Sequence, residues 1–259
     1  MTMKQITLRR RVYGTYKGRL LKSLQSEVSQ LIANLDSQLL SISTSSKGNV
    51  IIRIEGDDEE FVYNLLAKEY GTGFAFGDLV IGQDYWGQIT SVGRVGYGLY
   101  VDIGLTGPES KDVLVPLHRL RDQTRMKGQS LRTITKSLLF VDSLPITIRL
   151  VNVDVAQKKL EGELAPSLIK RTWEWGVDDH ERLLVFGANR RMIETALEKS
   201  DHSTDIFRIE ELGAYEFSLV CKRTTRASGI VSAIGPRLKG VPMHLLIPGE
   251  LKVSGLAEV

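Results

Sequence analysis

The groups in this sequence that most clearly indicate a binding chemistry are its positively charged side chains. One cluster opens the chain at Arg9, Arg10 and Arg11, and a second spans residues 119–136, where Asp122 is the only opposing carboxylate. Such clusters suit phosphate backbones, because each neutralised phosphate releases condensed counterions. For any single pair of cations a solvated surface is the alternative, since Lys and Arg are seldom buried. The second cluster consists of Arg119, Arg121, Arg125, Lys127, Arg132 and Lys136.

No arrangement typical of catalysis accompanies these cations. The sequence lacks the GxxxxGK[ST] and GxGxxG loops that cradle nucleotides and the G-x-S-x-G nucleophile turn. Its four histidines are scattered, and none lies at a metal-ligand spacing. The acidic run from Asp57 to Glu60 is explained more simply by capping of a helix. We therefore expect a non-catalytic protein without a cofactor or a metal.

Length and composition are those of an ordinary globular protein. The 259 residues suffice for two or three domains, and 42% hydrophobic with 25% charged residues argues against disorder. No apolar run approaches the ~20 residues needed to cross a bilayer, and the first residues are too polar for a signal peptide. Cys221 is the only cysteine, which fits a reducing compartment, and it lies in a predicted strand as a packing residue. We expect a cytoplasmic protein without a membrane partner.

The sequence predicts a multidomain α+β protein, and the first unit of that protein spans residues 1–73. Their periodicity predicts the order strand, helix, strand, strand, helix, which forms an α/β sandwich resembling half of a ferredoxin-like fold. The predicted elements are a strand over 6–13, an amphipathic helix over 17–35, strands over 39–44 and 49–55, and a helix from Asp57 that stops at Gly71.

At Asp78 the sequence pattern changes to short predicted strands separated by glycines, which indicates a second unit at residues 78–165. Tyr97, Leu99 and Val101 alternate with smaller or polar residues, as in a strand. Residues 145–154 and 160–164 supply two further strands across a polar turn. Five short strands with an irregular or helical segment between the third and fourth predict a five-stranded OB-fold β-barrel.

Four segments of this unit, in the correct order, carry a resemblance to a known family. They are Gly87–Ile89, Tyr97–Gly104, Val113–Leu117 with Leu120, and Asn152–Leu160. The second segment reads Tyr-Gly-Leu-Tyr-Val-Asp-Ile-Gly, which is similar to the aromatic–Gly–x–aromatic–Val–Asp–aliphatic–Gly core of the S1 RNA-binding domain. The chain departs from that family at Pro116, where the family often has His, and at His118, where a small hydroxyl residue is usual.

The S1 resemblance implies single-stranded RNA as a partner and nominates residues that would contact it. In S1-like domains RNA lies across exposed aromatic rings while basic side chains follow the backbone, which implies stacking on Tyr97 and Tyr100. These two tyrosines differ in strand parity, so they share one face only if a bulge intervenes. The nominated basic residues near them are Arg94, Arg149 and Lys159. The basic segment from Arg121 to Ser143, with Arg121, Arg125 and Lys127, is either an added RNA contact or a lengthened loop.

The third predicted unit, residues 166–259, is a mixed α/β domain. Helices are predicted over 167–175 and 178–199, the second containing Gly187 as a weak point. A hairpin around Gly213, a short helix over 225–234 and a last strand over 241–248 complete it.

Three functional hypotheses follow. The first is a non-catalytic RNA-binding protein, and the second is a subunit or accessory factor of an RNA-handling complex whose barrel mainly docks protein. An α/β head followed by an S1-like barrel also resembles the RNA polymerase stalk subunit and the exosome cap subunits, and a ribosome-associated role belongs to the same class. The third hypothesis is an unrecognised RNA-processing enzyme. The whole layout is similar to an uncharacterised archaeal family with an S1-like central domain.

Overall fold

The N-terminal unit is an antiparallel sheet of three strands covered by two helices. In the computed structural model, which describes residues 3–107, 111–254 and 256, the strand order is β1-β3-β2. Leu20, Leu24 and Val28 on one side of α1 pack into the core of this unit. The predicted order of elements is confirmed, at β1 (Met3–Arg11), α1 (Lys17–Leu31), β2 (Ser37–Thr44), β3 (Asn49–Gly56) and α2 (Glu59–Tyr70).

The start of α2 differs from the prediction. Asp58 occupies the N-cap position but makes no capping hydrogen bond with its side chain. Its Oδ2 instead accepts a hydrogen bond of 2.7 Å from the backbone N–H of Asp36. The capping expected of Asp58 is therefore wrong, because the carboxylate ties the entrance of β2 to the helix. Glu59 and Glu60 in the first turn still complement the positive end of the helix.

The central unit is a closed barrel of five strands. Its strand order is β4-β5-β6-β8-β7, with β6 and β8 parallel and every other neighbouring pair antiparallel. This order is compatible with the predicted OB-like fold. A Cβ on Gly98 would lie 2.7 Å from the carbonyl oxygen of Val115, so the closure requires glycine there. The strands are β4 (Asp84–Thr90), β5 (Gly98–Asp102), β6 (Val113–Pro116), β7 (Pro145–Asp154) and β8 (Lys159–Leu164).

The basic segment between β6 and β7 is helical and is not a lengthened loop. It forms α3 (Leu117–Thr124) and α4 (Leu131–Ser137). Arg125 ends α3 in the left-handed conformation, with φ of 54°. Ser130 then caps α4 by accepting a hydrogen bond of 3.2 Å from the N–H of Thr133.

The C-terminal unit has the order helix followed by strand, helix, strand, strand, helix, strand. Its sheet has the order β10-β11-β9-β12, and all neighbouring strands are antiparallel. The elements are α5 (Pro166–Val177), β9 (Arg182–Phe186), α6 (Arg190–Glu198), β10 (Ile206–Glu211), β11 (Glu216–Cys221), α7 (Ala227–Ile234) and β12 (Met243–Leu246). The predicted mixed α/β class is confirmed, and no helix in the described part of the chain is long and apolar enough to cross a membrane.

The single helix predicted over 178–199 is wrong. Residues Arg182–Phe186 form a central strand, and only the second part of the predicted segment is helical. The chain bends between them at Gly187, which has φ of +81°. Every residue of β9 is buried, so its sequence shows no alternation, and a short apolar run of this kind cannot be separated from helix by periodicity.

Both faces of the C-terminal sheet are covered. Leu183 and Val185 of β9 pack with the apolar residues of α6 and α7. Leu184 and Phe186 point to the opposite side and join the core of the barrel. The sheet therefore lies between its own helices and the barrel.

The backbone of residues 73–74, which leads from the N-terminal unit into the barrel, lies against the backbone of residues 104–105. The N–H of Phe74 donates to the carbonyl oxygen of Gly104 at 3.1 Å, and Phe74 pairs with Leu105 as an isolated bridge. A Cβ on Gly73 would lie 2.8 Å from the same carbonyl oxygen. Arg11 adds an ion pair with Asp102 of β5 at 3.4 Å. The N-terminal unit is thereby fixed to the wall of the barrel.

A buried polar contact joins all three units. The hydroxyl of Tyr13 donates to Oε1 of Glu216 at 2.5 Å, and the side chain of Gln88 bonds the same carboxylate. Glu216 is 1% exposed, and loss of hydration raises its pKa, while the bonds from Tyr13, the Tyr215 backbone and Gln88 lower it in part. Burial also raises the pKa of Tyr13, so its hydroxyl keeps the proton that it donates.

We expect the substitution Glu216→Gln to change how stability depends on pH. The raised pKa of Glu216 means that the folded state holds the proton more tightly than the unfolded state, in which the usual value is 4.5. The resulting contribution to stability is complete below that value. It is lost as pH rises through the folded-state pKa, at about 1.4 kcal/mol for each pH unit between the two pKa values.

The measurement is the free energy of unfolding in urea from pH 5 to pH 8. Glu216→Gln should gain stability relative to the unmodified protein as pH rises, because the neutral amide carries no charge to desolvate. Glu198→Gln, at an exposed position, is the matched control and should give a constant difference. A constant difference for Glu216→Gln as well would contradict a raised pKa.

Candidate nucleic-acid interface

Tyr97 and Tyr100 lie together on the outer surface of the barrel. Along β5, Leu99 and Val101 point into the core and Tyr100 points outward. Tyr97 precedes the strand, and its carbonyl oxygen accepts a 2.8 Å hydrogen bond from the N–H of Leu117 at the start of α3. Because Tyr97 lies just outside β5, the alternation of side chains between the two faces of that strand does not constrain it. The two rings therefore come together without a bulge.

The two tyrosine side chains contact each other directly. Their hydroxyl oxygens are 2.9 Å apart, and their ring centroids are 6.3 Å apart with the planes nearly perpendicular. Tyr97 is 57% exposed, while Tyr100 is half-buried. The hydrogen bond to Tyr97 and, to a smaller extent, burial raise the pKa of Tyr100. The pair thus presents one open ring, that of Tyr97, and the raised pKa keeps the Tyr100 hydroxyl protonated at neutral pH.

A cavity of about 450 Å³ lies beside the pair, and we call it the tyrosine pocket. Asp112 accepts hydrogen bonds of 2.9 Å from both Lys47 and the hydroxyl of Thr90. Arg94 and Lys111 are exposed and form no ion pair within the described part of the chain. The complete lining is Lys47, Thr90, Ser91, Arg94, Val95, Tyr97, Tyr100, Lys111 and Asp112.

Two basic residues of the tyrosine pocket, Lys47 and Lys111, were not anticipated. Lys47 comes from the turn between β2 and β3 of the N-terminal unit, where its carbonyl oxygen accepts a 3.0 Å bond from Arg11. Nothing in the chain order connects that turn with the barrel. Lys111 lies two residues before β6, and its nearness to the S1-like segment Val113–Leu117 was the one available signal.

Arg149 and Lys159 do not line the tyrosine pocket. Arg149 forms two hydrogen bonds, of 2.7 and 3.2 Å, with the carboxylate of Asp84. Asp84 and Thr90 are opposite ends of β4, so about 20 Å of strand separates this ion pair from the pocket. Lys159 is exposed at the start of β8, opposite Asp154. The structure therefore separates Arg149 from the tyrosines, and Lys159 is outside the lining of the pocket.

The predicted basic residues of the α3–α4 segment occupy another place. The Nε of Arg121 donates to the carbonyl oxygen of Gln129 at 2.8 Å, which holds the turn between the helices. Arg125 and Lys127 are exposed and, with Lys252, line a cavity of about 410 Å³ at the C-terminal end of α3. Tyr97 contacts the N-terminal end of that helix, so these cations form a separate surface.

The two central strands of the C-terminal sheet, β9 and β11, offer no surface for stacking bases. Four-stranded sheets of this kind bind RNA when aromatic side chains on one face stay open. Here the side facing the barrel is buried, and the other side lies under α6 and α7. The exposed ring of Tyr97 lies at the barrel edge, whereas the exposed ring of this sheet, Phe207, lies on the edge strand β10.

Two kinds of reactive group, a metal cluster and a reactive thiolate, lack support among the described residues. Across residues 3–107, 111–254 and 256, no group of three or more His, Cys, Asp or Glu side chains could hold a metal ion. The lone thiol of Cys221 is buried, and burial raises its pKa to about 11, which disfavours the nucleophilic thiolate.

Models of three domains of one family match this chain in order. Residues 5–73 match the DUF2110 N-terminal domain, residues 79–176 the DUF2110 central domain and residues 180–245 the DUF2110 C-terminal domain. No curated protein matches the chain. Among solved structures, an uncharacterised protein from Methanocaldococcus jannaschii is 15% identical, with 34% of this chain and 96% of that chain covered and a TM-score of 0.24. A likeness of this size supports no argument about function.

We expect Tyr97→Phe to lower the pKa of Tyr100. The hydrogen bond to Tyr97 is the largest cause of the raised value, and phenylalanine removes it while keeping the ring. NMR titration of ¹³C-labelled tyrosine measures the change. Tyr63→Phe, in α2, is the matched control and should leave Tyr100 unaltered; an unaltered Tyr100 in Tyr97→Phe would contradict the hydroxyl contact.

Proposed function

This chain belongs to the DUF2110 family, and we propose that it is a non-catalytic RNA-binding protein whose barrel binds single-stranded RNA. The observation that carries the proposal is the exposed Tyr97 ring held against Tyr100 at the rim of a pocket with basic residues. Stacking of a base on an aromatic ring is worth about 1–3 kcal/mol and is independent of base identity.

The pocket has a suitable group for each part of a nucleotide. The open ring of Tyr97 takes the base by stacking. Arg94 and Lys111, which are exposed and lack carboxylate partners within the described ranges, take the flanking phosphates. Asp112 carries an acceptor next to Tyr100 that suits amino groups on a base edge.

The resemblance to S1 domains supports the same assignment. Tyr97 and Tyr100 are the aromatic residues of the S1-like motif, and the barrel order is that of an OB-like fold. We propose further that the barrel is an S1 domain and that the protein is cytoplasmic. Its proposed partner is RNA, either alone or within a ribonucleoprotein.

A barrel that mainly docks protein is less well supported. Such a role calls for a continuous exposed apolar surface. In the described ranges, the large exposed apolar side chains are distributed over all three units, and Val80 and Ile81 are the one pair adjacent in the chain. No specific observation therefore favours the subunit hypothesis.

We expect Tyr97→Ala and Tyr100→Ala each to weaken binding of single-stranded RNA by about 1–3 kcal/mol, or roughly 5- to 150-fold. Tyr97→Ala removes the stacking ring, and Tyr100→Ala removes the contact that holds that ring in place. Fluorescence anisotropy of a labelled oligonucleotide across a salt series measures this. Phe207→Ala is a matched control, because Phe207 is also 57% exposed but lies on β10. Unchanged affinity in a folded Tyr97→Ala, Tyr100→Ala double variant would refute the assigned surface.

We expect neutralisation of Arg125 and Lys127 to Gln to reduce the salt dependence of RNA binding. Each lost phosphate contact should lower the slope of log affinity against log salt by about 1. Arg121 is kept, because its bond to Gln129 supports the turn. Neutralisation of exposed Lys222 and Arg223 serves as the control. A slope equal to that of the control would exclude the α3–α4 surface from the interface.

A further inference from the structure

A second basic surface lies between the N-terminal and C-terminal units. It is a groove of about 720 Å³ between α1 and α6, and we call it the interdomain groove. Its five cations are all exposed, and they are Arg19, Lys22, Arg191, Lys199 and Arg237.

Both helices present a polar face to the groove at helical spacing. On α1 this face carries Arg19, Lys22 and Ser26, while Leu20 and Leu24 on the other side are buried in the N-terminal core. On α6 and its C-cap the corresponding residues are Arg191, Thr195 and Lys199, and the buried residues are Ile193 and Leu197. The cations are therefore displayed by rigid elements whose opposite faces are anchored.

The positive charge of the interdomain groove is not compensated. None of the described residues that line it is acidic, and none of its five cations forms an ion pair within residues 3–107, 111–254 and 256. Other basic side chains differ in this respect, since Arg149 pairs with Asp84 and Arg190 with Glu211. Converging like charges repel one another, and a polyanion relieves that repulsion.

The other lining groups indicate which polyanion fits. Hydroxyl and amide side chains, from Ser23, Ser26, Thr195 and Asn189, accompany the cations, and these are the usual partners of phosphate and sugar oxygens. The described lining contains no aromatic ring, in contrast to the tyrosine pocket. The groove can therefore grip a backbone but offers no ring to an unstacked base.

We infer that the interdomain groove binds the phosphodiester backbone of a base-paired nucleic acid, and that this nucleic acid is an RNA duplex. Duplex RNA is recognised mainly through its shape, phosphates and sugar hydroxyls, which matches a groove lined by cations and hydroxyl groups. The inference deepens the proposed function and rests on it for the choice of RNA. It assigns paired RNA to the groove and unpaired RNA to the tyrosine pocket.

The test compares the double variant Lys22→Gln, Lys199→Gln with the unmodified full-length chain. Anisotropy titrations use a blunt RNA duplex, a DNA duplex of the same sequence and a single-stranded RNA, each over a salt series. The variant should bind the RNA duplex roughly tenfold more weakly at 0.1 M salt, and its salt slope should fall by about 2, because two phosphate contacts are lost. Its affinity for single-stranded RNA should be unchanged.

A matched double variant, Lys68→Gln, Lys222→Gln, removes the same charge at exposed positions outside the groove. Thermal unfolding checks that both variants fold. Duplex affinity and slope equal to those of the control would overturn the inference, as would failure of the unmodified protein to bind the RNA duplex at low salt. Tighter binding of the DNA duplex than of the RNA duplex would overturn the choice of RNA.

These experiments distinguish failure of the function proposed for the tyrosine pocket from failure of the assignment of duplex RNA to the interdomain groove. If the groove variant loses duplex binding while Tyr97→Ala leaves single-strand binding intact, the proposed function of the tyrosine pocket is wrong and the groove assignment stands. If Tyr97→Ala loses single-strand binding while the groove variant keeps duplex binding, the groove assignment is wrong.

Discussion

The burial of one face of the C-terminal sheet against the barrel determines which surfaces remain for binding. Leu184 and Phe186 are fully buried there, and burial of such side chains contributes about 1.5–3 kcal/mol each. Glu216 lies on the same side of the sheet and bonds Tyr13 across the junction. Because this contact removes a broad sheet face and part of the barrel wall from water, the surfaces that we propose for binding lie at the barrel edge and in a cleft between units.

The N-terminal unit contributes to both surfaces that remain. Its β2–β3 turn brings Lys47 to the tyrosine pocket, and α1 supplies one wall of the interdomain groove. The ion pair of Arg11 with Asp102 and the backbone bond from Phe74 to Gly104 fix this unit in place. The candidate surfaces are therefore composites of two units, and each depends on how those units are held.

The sequence predicted the barrel more closely than the C-terminal unit, for a physical reason. Strands with one face in the core alternate visibly, and β7 lies where it was expected, at Pro145–Asp154. The run Leu183–Phe186 is buried on both sides, so its strand character comes from tertiary packing and is not visible locally. For the candidate site, the S1-like motif nominated Tyr97 and Tyr100, which the structure brings into contact. Lys47 and the pairing of Arg149 with Asp84 depend on contacts between distant segments, which local patterns do not contain.

The contact of Tyr13, Gln88 and Glu216 also bears on how this architecture is inherited. Each residue comes from a different unit, and the carboxylate can stay buried only while both neighbours are present. A barrel exchanged alone by recombination would leave that carboxylate in a dry site without Gln88 and would uncover apolar surface on both sides of the break. We therefore expect the three units to be inherited together, with divergence at the exposed rims of the grooves and coordinated changes at the junction.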